Sequence, residues 1–363
     1  MNYCQKIHYT VYATQRAGFP EMVDNLLSQL PENETILRLS FFGTPSSNIE
    51  YVERRVILRK KIRAYYGDRE PALSYVSQPP MDAPLIMEVH SYRLEDEEQV
   101  TFRHFCGLPY VILENECARF LFAGGFQGDV INYNIEQQSA DVFNTIMIVL
   151  KKEGFPINSI IRQWNYIEHI TAFDGENQHY QSFNNARTDF YKKARWTNGY
   201  PAATGIGASF GGVLVDLDAA ILKDSMHVVP IDNKLQVAAY AYSEQVLAVS
   251  GEQKTTPKFE RAKSLVCNKN QIIYISGTAA IRGENSLADI GLEQQLRITM
   301  ENIDQLAGNA RLCILRVYLK DRSFYEEARR LMEAYHLNIP VFYMCADICR
   351  NELLIEIEGI ARL

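Results

Sequence analysis

The chain has 363 residues, of which 47% are apolar and 22% charged, the composition of a folded globular protein with room for two or three domains. A formal charge of -7 opposes a general nucleic-acid footprint, because gripping a phosphate backbone needs a clustered positive surface. There is no unbroken apolar run of about 18 residues, and the first residues lack a basic stretch followed by an apolar core, so the sequence predicts a cytoplasmic protein with no membrane partner.

The first predicted unit spans residues 1–100. A strand over 6–14 leads to a helix opened by Phe19-Pro20, whose Met22, Val23, Leu26, Leu27 and Leu30 form one apolar face. A strand over 35–42 follows, then a helix over 49–66 with Arg54, Arg55, Arg59, Lys60, Lys61 and Arg63, a charge run read as a solvated face. The charged, turn-like stretch 93–103 marks the first boundary.

A second unit is expected over 105–222. It opens with a hairpin-like pair at 110–113 and 119–125, then a helix from Ser139 that turns Val142, Phe143, Ile146, Met147 and Leu150 inward and stops at Gly154. A strand over 159–169, a helix over 180–194 and a closing strand pair over 200–219 complete it. Residues 223–258 are polar and irregular with short strand-like runs, and are read as a connector.

The third unit, 259–363, repeats that order. Residues 271–276 form a strand, and a helix with Leu296, Met300, Ile303 and Leu306 inward ends at Gly308. A strand over 313–319, a helix over 323–335 and a closing pair over 340–361 follow. Each unit is thus ββαβαβ, with the first lacking most of its opening hairpin, and the fold class is α+β with helices packed on one face of each mixed sheet. The repeat is marked by a proline and, after a similar interval, an acid inside an apolar run: Pro71 and Glu88, Pro201 and Asp216, Pro340 and Glu356. Its period of roughly 120 to 140 residues is about one small domain.

Seven scattered cysteines without CxxC spacing suggest neither a disulfide framework nor a zinc site, and the histidines show no metal spacing, so no metal or cofactor is called for. In Leu353-Leu354-Ile355-Glu356-Ile357-Glu358, alternation puts both carboxylates on one strand face, and burial beside Leu354, Ile355 and Ile357 would raise the pKa of Glu356, as a general acid at neutral pH requires. Glu358 reads as structural, and Trp164 and Tyr166 read as core.

Two resemblances follow from the motifs. Ile275-Ser276-Gly277-Thr278, Glu293-Gln294-Gln295, Pro340 and the terminal EIEGIA resemble the RidA (YjgF) group of imine and enamine deaminases, also described as chorismate-mutase-like in fold. Those proteins are trimers with sites between subunits, which implies repeated RidA-like units closing as an intrachain pseudo-trimer. The arginine of their Pro-Ala-Arg motif is absent here, since the matching places read Pro340-Val341-Phe342 and Pro201-Ala202-Ala203.

A longer resemblance joins Arg162-Gln163-Trp164-Asn165-Tyr166-Ile167, Phe183 to Tyr191, Tyr200 to Gly207, and Ala346-Asp347-Ile348-Cys349-Arg350 leading to Glu356. Together these are similar to the chorismatases of the FkbO type. The resemblance implies a hydrolase or lyase that releases pyruvate from chorismate without a metal, with Glu356 and Cys349 as catalytic residues: Glu356 the general acid, and Cys349, seven residues before it, the residue type of members forming 3-hydroxybenzoate, with 4-hydroxybenzoate and a dihydrodiol left open as products. Gly277 implies the same product type. Arg187 and Tyr191, on one helix, are expected at the substrate, with Arg162, Tyr200, Thr204, Arg316 and Arg350 as further binding candidates. The expected partner is an anionic, chorismate-like small molecule. A RidA-like binding protein without catalysis and an imine deaminase stay open as alternatives, as do a monomer and a small homo-oligomer.

Overall fold

The computed structural model describes residues 2–243 and 255–363. The first unit contains α1 (Tyr3–Lys6), β1 (Ile7–Ala13), α2 (Phe19–Leu27), β2 (Thr35–Gly43), α3 (Asn48–Tyr66), β3 (Ala72–Val76) and β4 (Leu85–Tyr92). Its sheet runs β1-β4-β2-β3. The second contains β5 (Gln99–Phe105), β6 (Leu108–Glu114), β7 (Ala118–Gln127), α4 (Ile135–Lys152), β8 (Ile160–Glu168), the small hairpin β9 (Phe173–Asp174) and β10 (Asn177–Gln178), α5 (His179–Tyr191), β11 (Ala202–Ala208) and β12 (Val213–Leu222). Its six-stranded sheet runs β11-β8-β12-β7-β6-β5.

The third unit contains β13 (Met226–Ile231), β14 (Ala262–Cys267), β15 (Asn270–Ala279), the hairpin β16 (Ile281–Arg282) and β17 (Asn285–Ser286), α6 (Gly291–Ala307), β18 (Arg311–Leu319), α7 (Tyr325–Glu333), β19 (Val341–Cys345) and β20 (Ile355–Arg362). Its sheet, β13-β14-β15-β20-β18-β19, repeats the second.

In every unit two parallel strands (β2 and β3, β8 and β11, β18 and β19) are joined through a helix, because a parallel pair needs a crossover. The closing strand then returns antiparallel beside the first of the pair. Local chemistry fixes the helix starts. Asn134 caps α4 by accepting from the Gln137 amide in a capping box, so that helix begins four residues before the expected Ser139. Pro20 sits in the first turn of α2, where its missing N–H costs nothing.

Two boundaries differ from the sequence expectation. Residues 99–103, the end of the stretch read as a charged turn, belong to β5, since alternation half-buries Val100 and Phe102 against the shared core described below. Residues 226–231, read as connector, form β13 on the edge of the third sheet, paired with β14. Within that connector the strand-like run 235–242 holds a short 3-10 turn, Ala239–Ala241, and one isolated bridge from Gln236 to Gly283. No helix among the described residues is long and apolar enough to cross a membrane.

Each sheet buries one face under its own helices. Val142, Phe143, Ile146, Phe183 and Phe190 cover the second, while Leu296, Met300, Ile303 and Met332 cover the third. The opposite faces of all three sheets meet in a common core with Phe42, Ile86, Tyr166, Leu214, Tyr274 and Tyr318. The three sheets therefore share one core within a single chain.

In that core the units are tied by arginines. Arg38 of the first unit pairs with Asp218 of the second at 2.6 Å, with Asp216 at 3.7 Å. Arg162 of the second pairs with Glu358 of the third at 2.6 Å. Arg316 of the third returns to Glu88 of the first through a two-pronged contact at 2.6 and 2.8 Å, and also reaches Glu358 at 2.9 Å. All three guanidiniums lie over the ring of Trp164, 4.7 to 5.4 Å from its centre. All of these side chains are buried, so each charge depends on its neighbour in the next unit.

Candidate active site

The closing strands explain why one carboxyl stands apart. Glu88, Asp216 and Glu358 occupy matching places, opposite Ser40, Trp164 and Arg316 of the neighbouring strand, so the acid that repeats is Glu358 and not the Glu356 that the proline-to-acid spacing paired with Pro340. Each is satisfied: Arg316 and His90 hold Glu88, Ser74 and the Gly125 amide hold Asp216, and Arg162, Thr204, Trp164 and Tyr318 hold Glu358. Two residues earlier on the same strand face, the three units carry Ile86, Leu214 and Glu356. Only the third has an acid at that place.

Glu356 is 5% exposed and has no hydrogen bond or ion pair among the described residues. Burial pushes its carboxyl up to about 8, and the nearby Glu358 pushes the same way, against a smaller pull from Arg261 and Arg162. Glu88 shows the opposite outcome, because the Arg316 guanidinium holds its carboxyl well below the usual range although burial opposes it. At neutral pH Glu356 is therefore a protonated acid within reach of a cleft.

That cleft, of about 430 Å³, lies between the second and third units and is a suitable size for a small organic molecule. β11 supplies Ala203 and Gly205, and β15 supplies Gly277 and Ala279. The bulge of β15 between Ile275 and Thr278 falls opposite Glu358 and turns Gly277 toward Glu356. A Cβ at Gly277 would overlap Oε1 of Glu356 and stand 2.9 Å from Cγ2 of Thr204, so only glycine leaves the carboxyl its place.

Around the acid stand Cys349, Tyr180, Arg261, Arg350 and Tyr242. Burial pushes the Cys349 thiol up to about 12, with Glu356 adding to it, which keeps it a neutral, small, weakly polar wall and not a nucleophile. Arg261 donates to the Val237 carbonyl and the Tyr242 hydroxyl, and Arg350 donates to the Glu284 carbonyl and Ser286. Both guanidiniums flank the Tyr242 ring, at 5.4 and 5.1 Å, and neither is paired with a carboxylate among the described residues.

Of the residues singled out in the sequence, the fold brings Glu356, Cys349, Gly277 and Arg350 to the cleft wall. The others lie behind it. Arg162 and Arg316 are committed to the protein's own carboxylates. Thr204 Oγ1 accepts from the Gly277 amide at 3.0 Å and from Arg162 at 2.8 Å, and donates to Glu358. Arg187 is buried under the cleft with Nη2 on Asn184 Oδ1 at 2.5 Å, while the Tyr191 hydroxyl donates to Gln163. Tyr200 stacks on Tyr191 with ring centres 5.7 Å apart. Sequence reasoning missed Arg261, Tyr180 and Tyr242. Arg261 sits in a short polar approach to β14 with no motif around it, so nothing in the sequence singled it out.

Fold and site define an α+β protein of three units in which an interunit cleft holds a glutamic acid beside two guanidiniums that have no carboxylate partner among the described residues. A family model described as "Chorismatase FkbO/Hyg5-like, N-terminal" matches residues 117–218. The chain is 28% identical over 229 residues to a 3-hydroxybenzoate synthase of Streptomyces hygroscopicus, covering 57% of this chain and 65% of that protein. It is 27% identical over 242 residues to a chorismatase of Streptomyces rapamycinicus, covering 61% of this chain and 69% of the other. A crystal structure of a chorismatase superposes with a TM-score of 0.72 at 20% identity, over 98% of each chain. The chain is thus similar in sequence to these proteins over part of its length, and in fold to the chorismatase over nearly all of it. Its match spans just under two thirds of the length of the 3-hydroxybenzoate synthase.

Proposed function

We propose that the chain releases pyruvate from chorismate and leaves a hydroxybenzoate, with Glu356 as general acid. The observation that carries this reading is the unpaired carboxyl of Glu356, held protonated near neutral pH at the wall of a cleft of molecular size. Chorismate joins a ring carboxylate to an enolpyruvyl ether. Proton delivery to the methylene carbon turns the ether into an oxocarbenium ion, which an oxygen nucleophile captures; the bond between the former enolpyruvyl carbon and the ether oxygen then breaks, so that pyruvate leaves and the ring keeps that oxygen as a hydroxyl. If the ring fragment keeps both hydroxyls, the product is a dihydrodiol formed with one water. If it sheds one hydroxyl as water and aromatises, pyruvate and hydroxybenzoate together contain the atoms of chorismate.

Arg261 and Arg350 supply positive charge for the substrate carboxylates, a task that Arg162 and Arg316 are not free to take. Arg187, beneath the wall, supports the second unit's side through Asn184. Gly277 leaves room for the acid, and the neutral Cys349 thiol borders the reacting ring, in keeping with the 3-hydroxybenzoate type. The relatives named for chorismate cleavage and 3-hydroxybenzoate synthesis support the substrate and the product class.

The test is to follow pyruvate from chorismate with a coupled dehydrogenase and to identify the ring product by chromatography. Pyruvate with 3-hydroxybenzoate is expected, and Glu356→Gln should lower turnover by about 10²-fold or more, the ordinary worth of a positioned acid. Pyruvate at the spontaneous rate, with the protein merely stabilised by chorismate, would replace this reading by that of a binding protein.

A further inference from the structure

Three of the seven cysteines, far apart in the sequence, are buried together in the common core, one from each unit. Cys117 closes the turn between β6 and β7, and Cys267 ends β14 at the matching turn into β15. The first unit lacks that hairpin, and α1 takes its place. Tyr3 stacks on Phe120 of β7 with ring centres 4.0 Å apart, Asn2 donates to the Cys267 carbonyl, and Cys4 Sγ donates to the Leu265 carbonyl at 3.9 Å.

The Sγ atoms of Cys117 and Cys267 are 3.5 Å apart, in contact although 150 residues separate them in sequence. A disulfide holds its sulfurs about 2.05 Å apart, so an approach of roughly 1.5 Å, the scale of a small side-chain rotation, would join them. Access differs between the two. Cys117 lines an open cavity of about 710 Å³ together with Asn2, Lys6, Asn115 and Lys223, so a small oxidant reaches it from solvent, whereas Cys267 is fully buried behind it. Burial pushes the Cys267 thiol up and Cys117 beside it pushes the same way, which keeps Cys267 a thiol until its neighbour is oxidised.

We propose that Cys117 and Cys267 form a redox site at which a peroxide makes a reversible disulfide between the second and third units. The peroxide converts the Cys117 thiol to a sulfenic acid and is reduced to one water. The Cys267 sulfur then attacks the Cys117 sulfur, and its proton leaves with the sulfenic hydroxyl as a second water. A thiol reductant reopens the bond by exchange. Gly277 lies seven residues beyond Asn270 on β15, roughly 20 Å at the ordinary rise of a strand, so the bond forms away from Glu356 and does not rest on its chemistry.

The reduced full chain is treated with hydrogen peroxide under native conditions, its remaining thiols are capped with iodoacetamide, and it is digested without reductant. Mass spectrometry should find a peptide joining Cys117 to Cys267. The oxidised chain should also melt at a higher temperature than the reduced one, because a cross-link across a long loop restricts the unfolded chain, and dithiothreitol should reverse both changes. Cys117→Ala, or Cys267→Ala if the first variant does not fold, should lose the cross-link and the melting shift. Absence of the joined peptide overturns the proposal, whether Cys117 stays a thiol, goes on to a sulfinic acid or joins Cys4. A joined peptide with an unchanged melting temperature equally overturns it.

Discussion

Glu356→Gln should lower turnover by about 10²-fold or more and, as pH rises above about 5, make the protein increasingly more stable than the parent. The folded pKa of Glu356 is about 8, raised first by burial and then by Glu358, against an ordinary value of 4.5. Between those values the folded chain keeps a proton that the unfolded chain has lost, so unfolding releases it and stability falls as pH rises. For one proton the slope is about 1.4 kcal/mol per pH unit, which accumulates to roughly 5 kcal/mol across the interval. Because the carboxyl borders an open cleft, the effective loss is on the order of 3 to 5 kcal/mol. Above about pH 8 both states are ionised and the loss is complete. Glutamine has nearly the same shape and no charge, so the variant carries none of this term. Urea unfolding of both proteins at pH 5, 7 and 9 should give matching stabilities at the lowest pH and a widening gap in favour of the variant. Curves that stay parallel from pH 5 to 9 would refute the reasoning, because they would mean that Glu356 titrates alike in folded and unfolded chains.

The same carboxyl sets the pH dependence of turnover: kcat for pyruvate release should fall as pH rises through about 8, with one ionisation, and a profile flat to pH 10 would remove Glu356 from the acid's role. Thr204→Val deletes the acceptor for the Gly277 amide and a donor to Glu358, so it should cost about 1 to 3 kcal/mol in denaturant unfolding and lower kcat, while Thr204→Ser should keep most of both. Arg316→Met leaves Glu88 without its two-pronged partner and should cost about 3 to 5 kcal/mol. If that variant unfolds as readily as it does in the double variant Glu88→Gln/Arg316→Met, the ion pair is not what the arginine contributes.

Much of the fold was legible because it is written in local periods. Alternation along the closing strands and the apolar faces of α2, α4 and α6 are each read from a few neighbouring residues, and β4, β12 and β20 each carry an acid inside such a run. The same alternation put Glu356 and Glu358 on one strand face. Short-range rules failed where charge disguised a strand: β5 is polar on one side because that side stays half exposed.

The sequence by itself determined that three similar units exist, that each ends in an acid-bearing strand, and that Glu356 is flanked by apolar residues. Tertiary structure alone decided which charges are free. Arg162 meets Glu358 across 196 residues and Arg316 meets Glu88 across 228, so two arginines with the chemistry of substrate ligands are consumed in holding the units together. Arg261, with no motif around it, is carried to the cleft by the approach to β14. A guanidinium carries the same charge wherever it stands in the sequence; its partner is set by which sheet faces pack together, and that is fixed only when the three units close.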